Sequence, residues 1–127
     1  MNYITEIIIL LFLAITFLQS GYDKIADWKG NTGWLKSHFS NTFLADKVPF
    51  SVGIILILEI IAGFLALIGI GTLLTNGSKE CAFWSAILSC ITLLFLLFGQ
   101  RIAKDYDGAR TIVIYFIPAV FLVYLLN

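Results

Sequence analysis

Four apolar stretches, at approximately residues 4–22, 48–74, 81–99 and 109–126, constrain the fold of this chain more than any other feature. A bilayer core about 30 Å thick is crossed by a helix of roughly 20 apolar residues. Such stretches are possible because 60% of the 127 residues are hydrophobic and only 13% are charged. We therefore predict an all-α, polytopic membrane protein, with one domain of four transmembrane helices in an antiparallel bundle.

The four stretches use most of the chain, and this excludes several classes of protein. No room remains for a water-soluble catalytic domain or a nucleotide-binding unit. The first stretch is predicted to be a retained helix rather than a cleaved signal peptide, because no basic residue precedes it and Glu6 lies near its start. The formal net charge is zero, so nothing favours a nucleic-acid partner. The expected partners are membrane lipids and other membrane subunits or copies of the same chain.

The basic residues are distributed unevenly between the predicted loops. Seven of the eight Lys and Arg residues lie in or beside the first and third loops, and only Lys79 lies in the second. The seven are Lys24, Lys29, Lys36, Lys47, Arg101, Lys104 and Arg110. Because basic loops are retained in the cytoplasm, we predict a cytoplasmic (inner) membrane protein with loops one and three inside and both termini outside.

The first loop contains a further pattern between residues 32 and 44. Bulky groups such as Trp34 and Phe39 recur near helical spacing, and polar residues fill the opposite arc. This pattern predicts a short helix in the membrane interface, capped by Asn31 or Thr32.

Small residues predict where the helices pack against each other. Helix two carries Ala62, Gly63, Ala66 and Gly69, which would allow a neighbouring backbone to approach closely in lipid. Helix three carries Ser85 and Ser89, whose hydroxyls could bond across to that face or back to their own helix.

Glu59 lies near the middle of the second apolar stretch, about 16 Å from its start at the helical rise per residue. An acidic side chain at this depth costs roughly 2.5 to 3.5 kcal/mol, unless it is protonated, paired or turned into the bundle. In an antiparallel bundle, several polar residues would gather at the nearby ends of the helices. These candidate pocket residues are Gln19, Lys24, Gln100, Arg101 and Asp107. Lys24 reaches Glu59 only if helix one continues past Gly21. Gln19 lies within the predicted helix and is the other candidate partner of Glu59.

Three interpretations of Glu59 are open. It could be a hydrogen-bonded pin that fixes helix register, or part of a polar pocket that binds a head group, a quinone oxygen or a proton. It could also pair with a residue of another subunit.

Other chemistry is limited by the residues present. His38 is the only histidine, so a haem held by two histidines of this chain and a His-rich metal site are excluded. Cys81 and Cys90 are about 13 Å apart along one helix, too far for a disulfide. No motif of nucleophilic or metal-dependent catalysis is present. We expect no catalytic residues, no metal and no covalently bound cofactor.

Several short motifs together resemble the DoxX family of small four-helix membrane proteins. They are Gly21-Tyr-Asp-Lys24 at the end of the first helix, Glu59 followed by Gly63, Gly69 and Gly71 near the end of helix two, and GQRIAKDYDGA before helix four. The resemblance implies an accessory subunit of a membrane complex, in some members a quinone-linked oxidoreductase, and implies that Lys24, Glu59 and residues 100–107 form a shared polar site. It also allows a role in assembly of other membrane proteins.

The leading functional hypothesis is therefore an accessory integral membrane subunit without catalytic activity of its own, which binds a quinone or a lipid beside Glu59. The alternatives are a small proton-linked transporter or carrier, in which Glu59 titrates, and a membrane-protein assembly factor.

Overall fold

A computed structural model describes residues 3–40, 42 and 47–127, except for the side chain of Asn31. These residues form five helices and no strand: α1 (Ile4–Ala26), α2 (Trp28–His38), α3 (Val48–Thr75), α4 (Glu80–Ile102) and α5 (Tyr106–Leu126). The helices α1, α3, α4 and α5 are long and apolar enough to cross a membrane, and they pack against one another. The predicted all-helical fold with four apolar spans is confirmed.

Helix α1 is longer than the sequence pattern indicates, because it continues through Gly21 to Ala26. Gly21 is buried, and a Cβ built on it would lie 3.2 Å from Cγ1 of Ile60. Glycine at this position therefore brings α1 close to α3 without ending the helix. The extension places Lys24 in the last turn, where a basic side chain also interacts favourably with the helix dipole.

The short helix of the first loop begins earlier than predicted. Helix α2 starts at Trp28, and its N-cap is Asp27, whose Oδ1 accepts a hydrogen bond from the Gly30 N–H at 3.2 Å. The prediction of Asn31 or Thr32 as the cap is wrong, since both positions lie inside the helix and the Thr32 hydroxyl donates back to the Trp28 carbonyl. The helix ends at His38 rather than near residue 44. Residues 41, 43 and 44 of the predicted span lie outside the described residues.

The core is built from one face of each long helix. On α3 the buried residues recur at helical spacing, and the face includes Glu59 among small side chains. The six residues predicted to pack, namely Ala62, Gly63, Ala66, Gly69, Ser85 and Ser89, are all buried. Helix α1 contributes larger groups, with Leu10, Leu13 and Phe17 almost fully buried.

Small residues determine how closely α3 and α4 approach. A Cβ built on Gly69 would lie 2.8 Å from the Cα of Ala82, so the two backbones are nearly in contact there. Further along the same pair, the Ser85 hydroxyl donates to the Ala62 carbonyl at 2.9 Å. Ser89 instead donates to the Ser85 carbonyl of its own helix, at 2.7 Å. One serine thus links two helices and the other bonds within α4.

Candidate functional site

The candidate site begins with an ion pair between α1 and α3. Lys24 Nζ lies 2.9 Å from Glu59 Oε1, and it donates a hydrogen bond to Ser20 Oγ at 2.7 Å. The glutamate side chain is 2% exposed and the lysine side chain 17% exposed. Within the described part of the chain, Glu59 Oε1 accepts no well-aligned hydrogen bond. The interaction with Lys24 is therefore mainly the electrostatic attraction between the two charges.

Helix geometry explains why Lys24 and Ser20 act together. Residues four apart lie on the same face of a helix, one turn above the other. The Ser20 hydroxyl therefore orients the Lys24 ammonium while the lysine stem extends toward α3. The spacing of Ser20 and Lys24 could have predicted this contact, but only if α1 was known to continue past Gly21.

An apolar cavity of about 310 Å³ lies beside this ion pair. Four helices contribute to its wall near the Lys24 end of α1. The lining residues are Lys24, Leu35, Phe39, Val48, Ser51, Val52, Ile54, Ile55, Phe95, Leu96, Phe98, Gly99 and Gln100. Ligand sites of this kind are mostly apolar, with a few polar groups that orient the ligand.

The polar groups of the cavity come from three helices. Lys24 provides an ammonium, Ser51 a hydroxyl and Gln100 a carboxamide. An ammonium has three N–H donors, of which one is used by Ser20 and one lies against Glu59. The cavity can therefore offer a donor from Lys24 and both donors and acceptors from Ser51 and Gln100 to a polar ligand atom.

Helix α2 and its C-cap contribute two side chains to the cavity, Leu35 and Phe39, which lie one turn apart. Phe39 Cζ lies 3.7 Å from where a Cβ on Gly99 would stand, which is an ordinary contact distance, so the ring packs beside this position of α4. On the same helix His38 stacks on Trp34, and its Nε2 lies 3.6 Å from Asp105 Oδ2. Asp105 in turn caps α5 by accepting from the Gly108 N–H at 3.0 Å. These contacts hold α2 beside the cavity.

The structure brings together three of the six predicted pocket residues. Lys24 pairs with Glu59, and Gln100 lines the same cavity as Lys24. Their role in ligand binding stays a prediction. The sequence pattern did not single out Ser51, Leu35 or Phe39 as part of a site. The last two are four residues apart, which is the spacing that a wall-forming helix face would show.

The other three predicted residues do not line this cavity. Gln19 is exposed on α1, since it is five residues before Lys24 and points about 140° away around the helix. Arg101 is exposed and lies over the Tyr106 ring, with its Cζ 5.4 Å from the ring centroid. Asp107 is 90% exposed and pairs with Arg110 one turn along α5, at 2.7 Å. Local contacts on the helix surfaces explain their positions.

The described residues contain no group of three His, Cys, Asp or Glu side chains that could hold a metal ion. Comparison of the chain with models of protein families, with curated proteins and with solved structures finds no match. The resemblance to DoxX proteins therefore stays a prediction from short motifs, and the functional argument depends on the geometry of the site.

Proposed function

We propose that this chain is an accessory integral membrane subunit that binds a small lipophilic molecule, a quinone or a lipid, in the cavity beside Lys24 and Glu59. The observation that carries the proposal is a buried ion pair at the wall of an apolar cavity. Ionisable residues at membrane depth are costly and commonly mark ligand or ion pathways. If Glu59 served only to fix the register of the helices, no cavity would be needed beside it.

The size and polarity of the cavity support a ligand with a compact polar end. Its volume of about 310 Å³ is at the lower end of the range, about 300 to 1,000 Å³, of small-molecule sites. Apolar walls from Ile55, Phe95 and Phe98 suit a ring or an acyl chain. The Lys24 ammonium suits an oxygen atom that accepts a hydrogen bond.

We further infer that the four long helices cross a cytoplasmic membrane in alternating directions, with α2 in the interface. Contacts between α1 and α3 support opposite directions: Leu18 lies against Gly63, and Gly21, three residues later, lies against Leu56 and Ile60. The exposed indole of Trp34 on α2 suits the depth of an interface.

Partner subunits are proposed from the DoxX-like motifs and from the outer surface. Large apolar side chains are exposed on all four long helices, among them Ile8, Ile57, Leu94 and Ile117. Such surfaces face either lipid tails or other membrane helices. A quinone-linked complex would supply the redox chemistry, and this subunit would hold the ligand.

Purification in a mild detergent from the native membrane tests the proposal. We expect partner subunits to co-purify, and a quinone or lipid to be recovered by solvent extraction and mass spectrometry. Ile54→Trp should reduce the amount of bound ligand, because Ile54 lines the cavity. Ile57→Trp is the matched control, since this exposed isoleucine of α3 does not line it.

Two results would count against the proposal. Recovery of a lone chain without any bound lipophile would remove the support for a ligand-binding subunit. Proton-coupled flux through proteoliposomes, abolished by Glu59→Gln, would favour the carrier instead.

A further inference from the structure

We infer that Glu59 determines the charge class of the ligand, so that the cavity accepts an uncharged head group with a hydrogen-bond acceptor and discriminates against anionic head groups. The inference rests on the proposed ligand site. The buried glutamate acts as a specificity-determining residue although it is not among the residues that line the cavity.

The charges around the cavity lead to this inference. Among the described residues that line the cavity, Lys24 is the only one with a charged side chain. An unpaired ammonium beside an apolar cavity would attract carboxylates and phosphates, which are abundant among membrane amphiphiles. Glu59 removes this attraction, because its carboxylate lies 2.9 Å from the ammonium and is itself 2% exposed.

The number of Lys24 N–H groups without a protein partner determines how many hydrogen bonds the ammonium can donate to a ligand. Ser20 takes one N–H at 2.7 Å, and the contact with Glu59 occupies a second direction. One N–H remains for a ligand atom. A ketone, quinone or ester oxygen needs one donor and brings no charge, so it satisfies the site without disturbing the ion pair.

An anionic head group would meet a different environment. It would have to share Lys24 with Glu59, and the two negative charges would then lie within a few ångströms of each other in a medium of low dielectric constant. Like charges placed together at a desolvated site cost enough to lower affinity by at least about tenfold. The buried carboxylate cannot turn to water to relieve the repulsion, because it is enclosed between α1 and α3.

Two ligands with head groups of similar size but different charge test the inference. We propose 4-decylacetophenone and 4-decylbenzoate, which share a ring and a tail, measured with the full chain in phosphatidylcholine nanodiscs at pH 8. The wild-type protein should bind the neutral ketone at least about tenfold more tightly than the carboxylate. In Glu59→Gln the preference should reverse or vanish, because the Lys24 ammonium loses its anionic partner.

The control variant is Glu80→Gln, which removes an exposed acidic group at the start of α4 and should leave the preference of the wild-type protein unchanged. Equal or tighter binding of the carboxylate by the wild-type protein would overturn the inference, and this comparison needs no variant to fold. A preference for the ketone that persists in Glu59→Gln would also overturn it, while leaving the ligand site standing. Failure of the wild-type protein to bind either compound would instead overturn the proposed function, and the inference with it.

Discussion

At the scale of single residues, Glu59 can lie in an apolar helix because Lys24 lies 2.9 Å away and Ser20 orients the lysine. The two partners are not equivalent. Lys24 is 17% exposed and borders the cavity, whereas Glu59 is 2% exposed. Removing one charge of a buried pair is costly when the remaining charge cannot be solvated. The protein should therefore tolerate loss of the glutamate charge better than loss of the lysine charge.

Lys24→Met should lower the free energy of unfolding by about 3 kcal/mol, since it leaves the Glu59 carboxylate buried without a cation. Glu59→Gln should cost clearly less, because the partly exposed ammonium keeps its hydrogen bond to Ser20. Unfolding of the detergent-solubilised protein by sodium dodecyl sulfate, followed by circular dichroism, measures both. Lys29→Met, at an exposed position of α2, is the control. A larger loss for Glu59→Gln than for Lys24→Met would contradict the assignment.

Ser85 and Ser89 provide a matched pair for a hydrogen bond between helices. Ser85→Ala removes the bond to the Ala62 carbonyl of α3 and should cost about 0.6 kcal/mol, a typical value within membranes. Ser89→Ala removes only a bond within α4 and should cost less. Both side chains are fully buried, so burial does not distinguish them. The same unfolding assay gives the difference, and equal losses would argue against a role for the Ser85 bond in pairing the helices.

At the scale of helices, the contact between α3 and α4 depends on glycine where the two backbones meet. The position of Gly69 is restricted by backbone atoms of Ala82, which cannot rotate away. At Gly63 the nearest atoms belong to the flexible side chain of Leu18. No described heavy atom outside its own helix lies within 4 Å of a Cβ built on Gly71. The glycines of this helix therefore differ in how easily they can be replaced. Gly69 is the most difficult of the three to replace, because the backbone of a neighbouring helix lies against it.

Gly69→Ala should destabilise the protein by about 1 to 3 kcal/mol, because α3 and α4 must separate to admit the methyl group. Gly71→Ala should be neutral or stabilising by up to about 1 kcal/mol, since alanine favours the helix and meets open space. Thermal unfolding in detergent compares the two variants. A stabilising Gly69→Ala would show that the helices are further apart than the structure indicates.

At the scale of the whole molecule, four long helices with apolar exposed surfaces fit a multi-pass membrane protein. The cavity lies where α1, α2, α3 and the end of α4 meet. Asp105 connects this region to α5, since it caps that helix and lies near His38 of α2. If the spans alternate in direction, the cavity lies on the side of the first and third loops, which carry most of the basic residues.

The predicted orientation places these two loops in the cytoplasm, because basic loops resist translocation. The single-cysteine variants Lys36→Cys and Lys104→Cys should then not be labelled by a membrane-impermeant maleimide added to intact cells. The variant Lys79→Cys should be labelled. The native Cys81 and Cys90 are first replaced by alanine, and labelling after cell lysis serves as the control for accessibility. The reverse labelling pattern would place the cavity on the outer side of the membrane.

The amino-acid sequence by itself determined that the chain is helical, that four helices are long and apolar enough to span a membrane, and that Glu59 needs a partner. These conclusions depend on local properties, namely segment length, hydrophobicity and the cost of a charge in an apolar medium. The sequence also predicted six small residues of α3 and α4 that are buried in the bundle. It could not choose between Gln19 and Lys24 as the partner of Glu59, since that choice depends on where α1 ends.

Only the tertiary structure decided that choice. Packing of Gly21 against Ile60 carries α1 through a position at which a helix could have ended, and this turns Lys24 toward Glu59 and Gln19 away from it. The cavity likewise depends on how four helix surfaces fit together, which no local pattern encodes. A sequence specifies the free-energy cost of placing each residue in lipid, whereas only the assembled helices determine which polar groups come close enough to offset it.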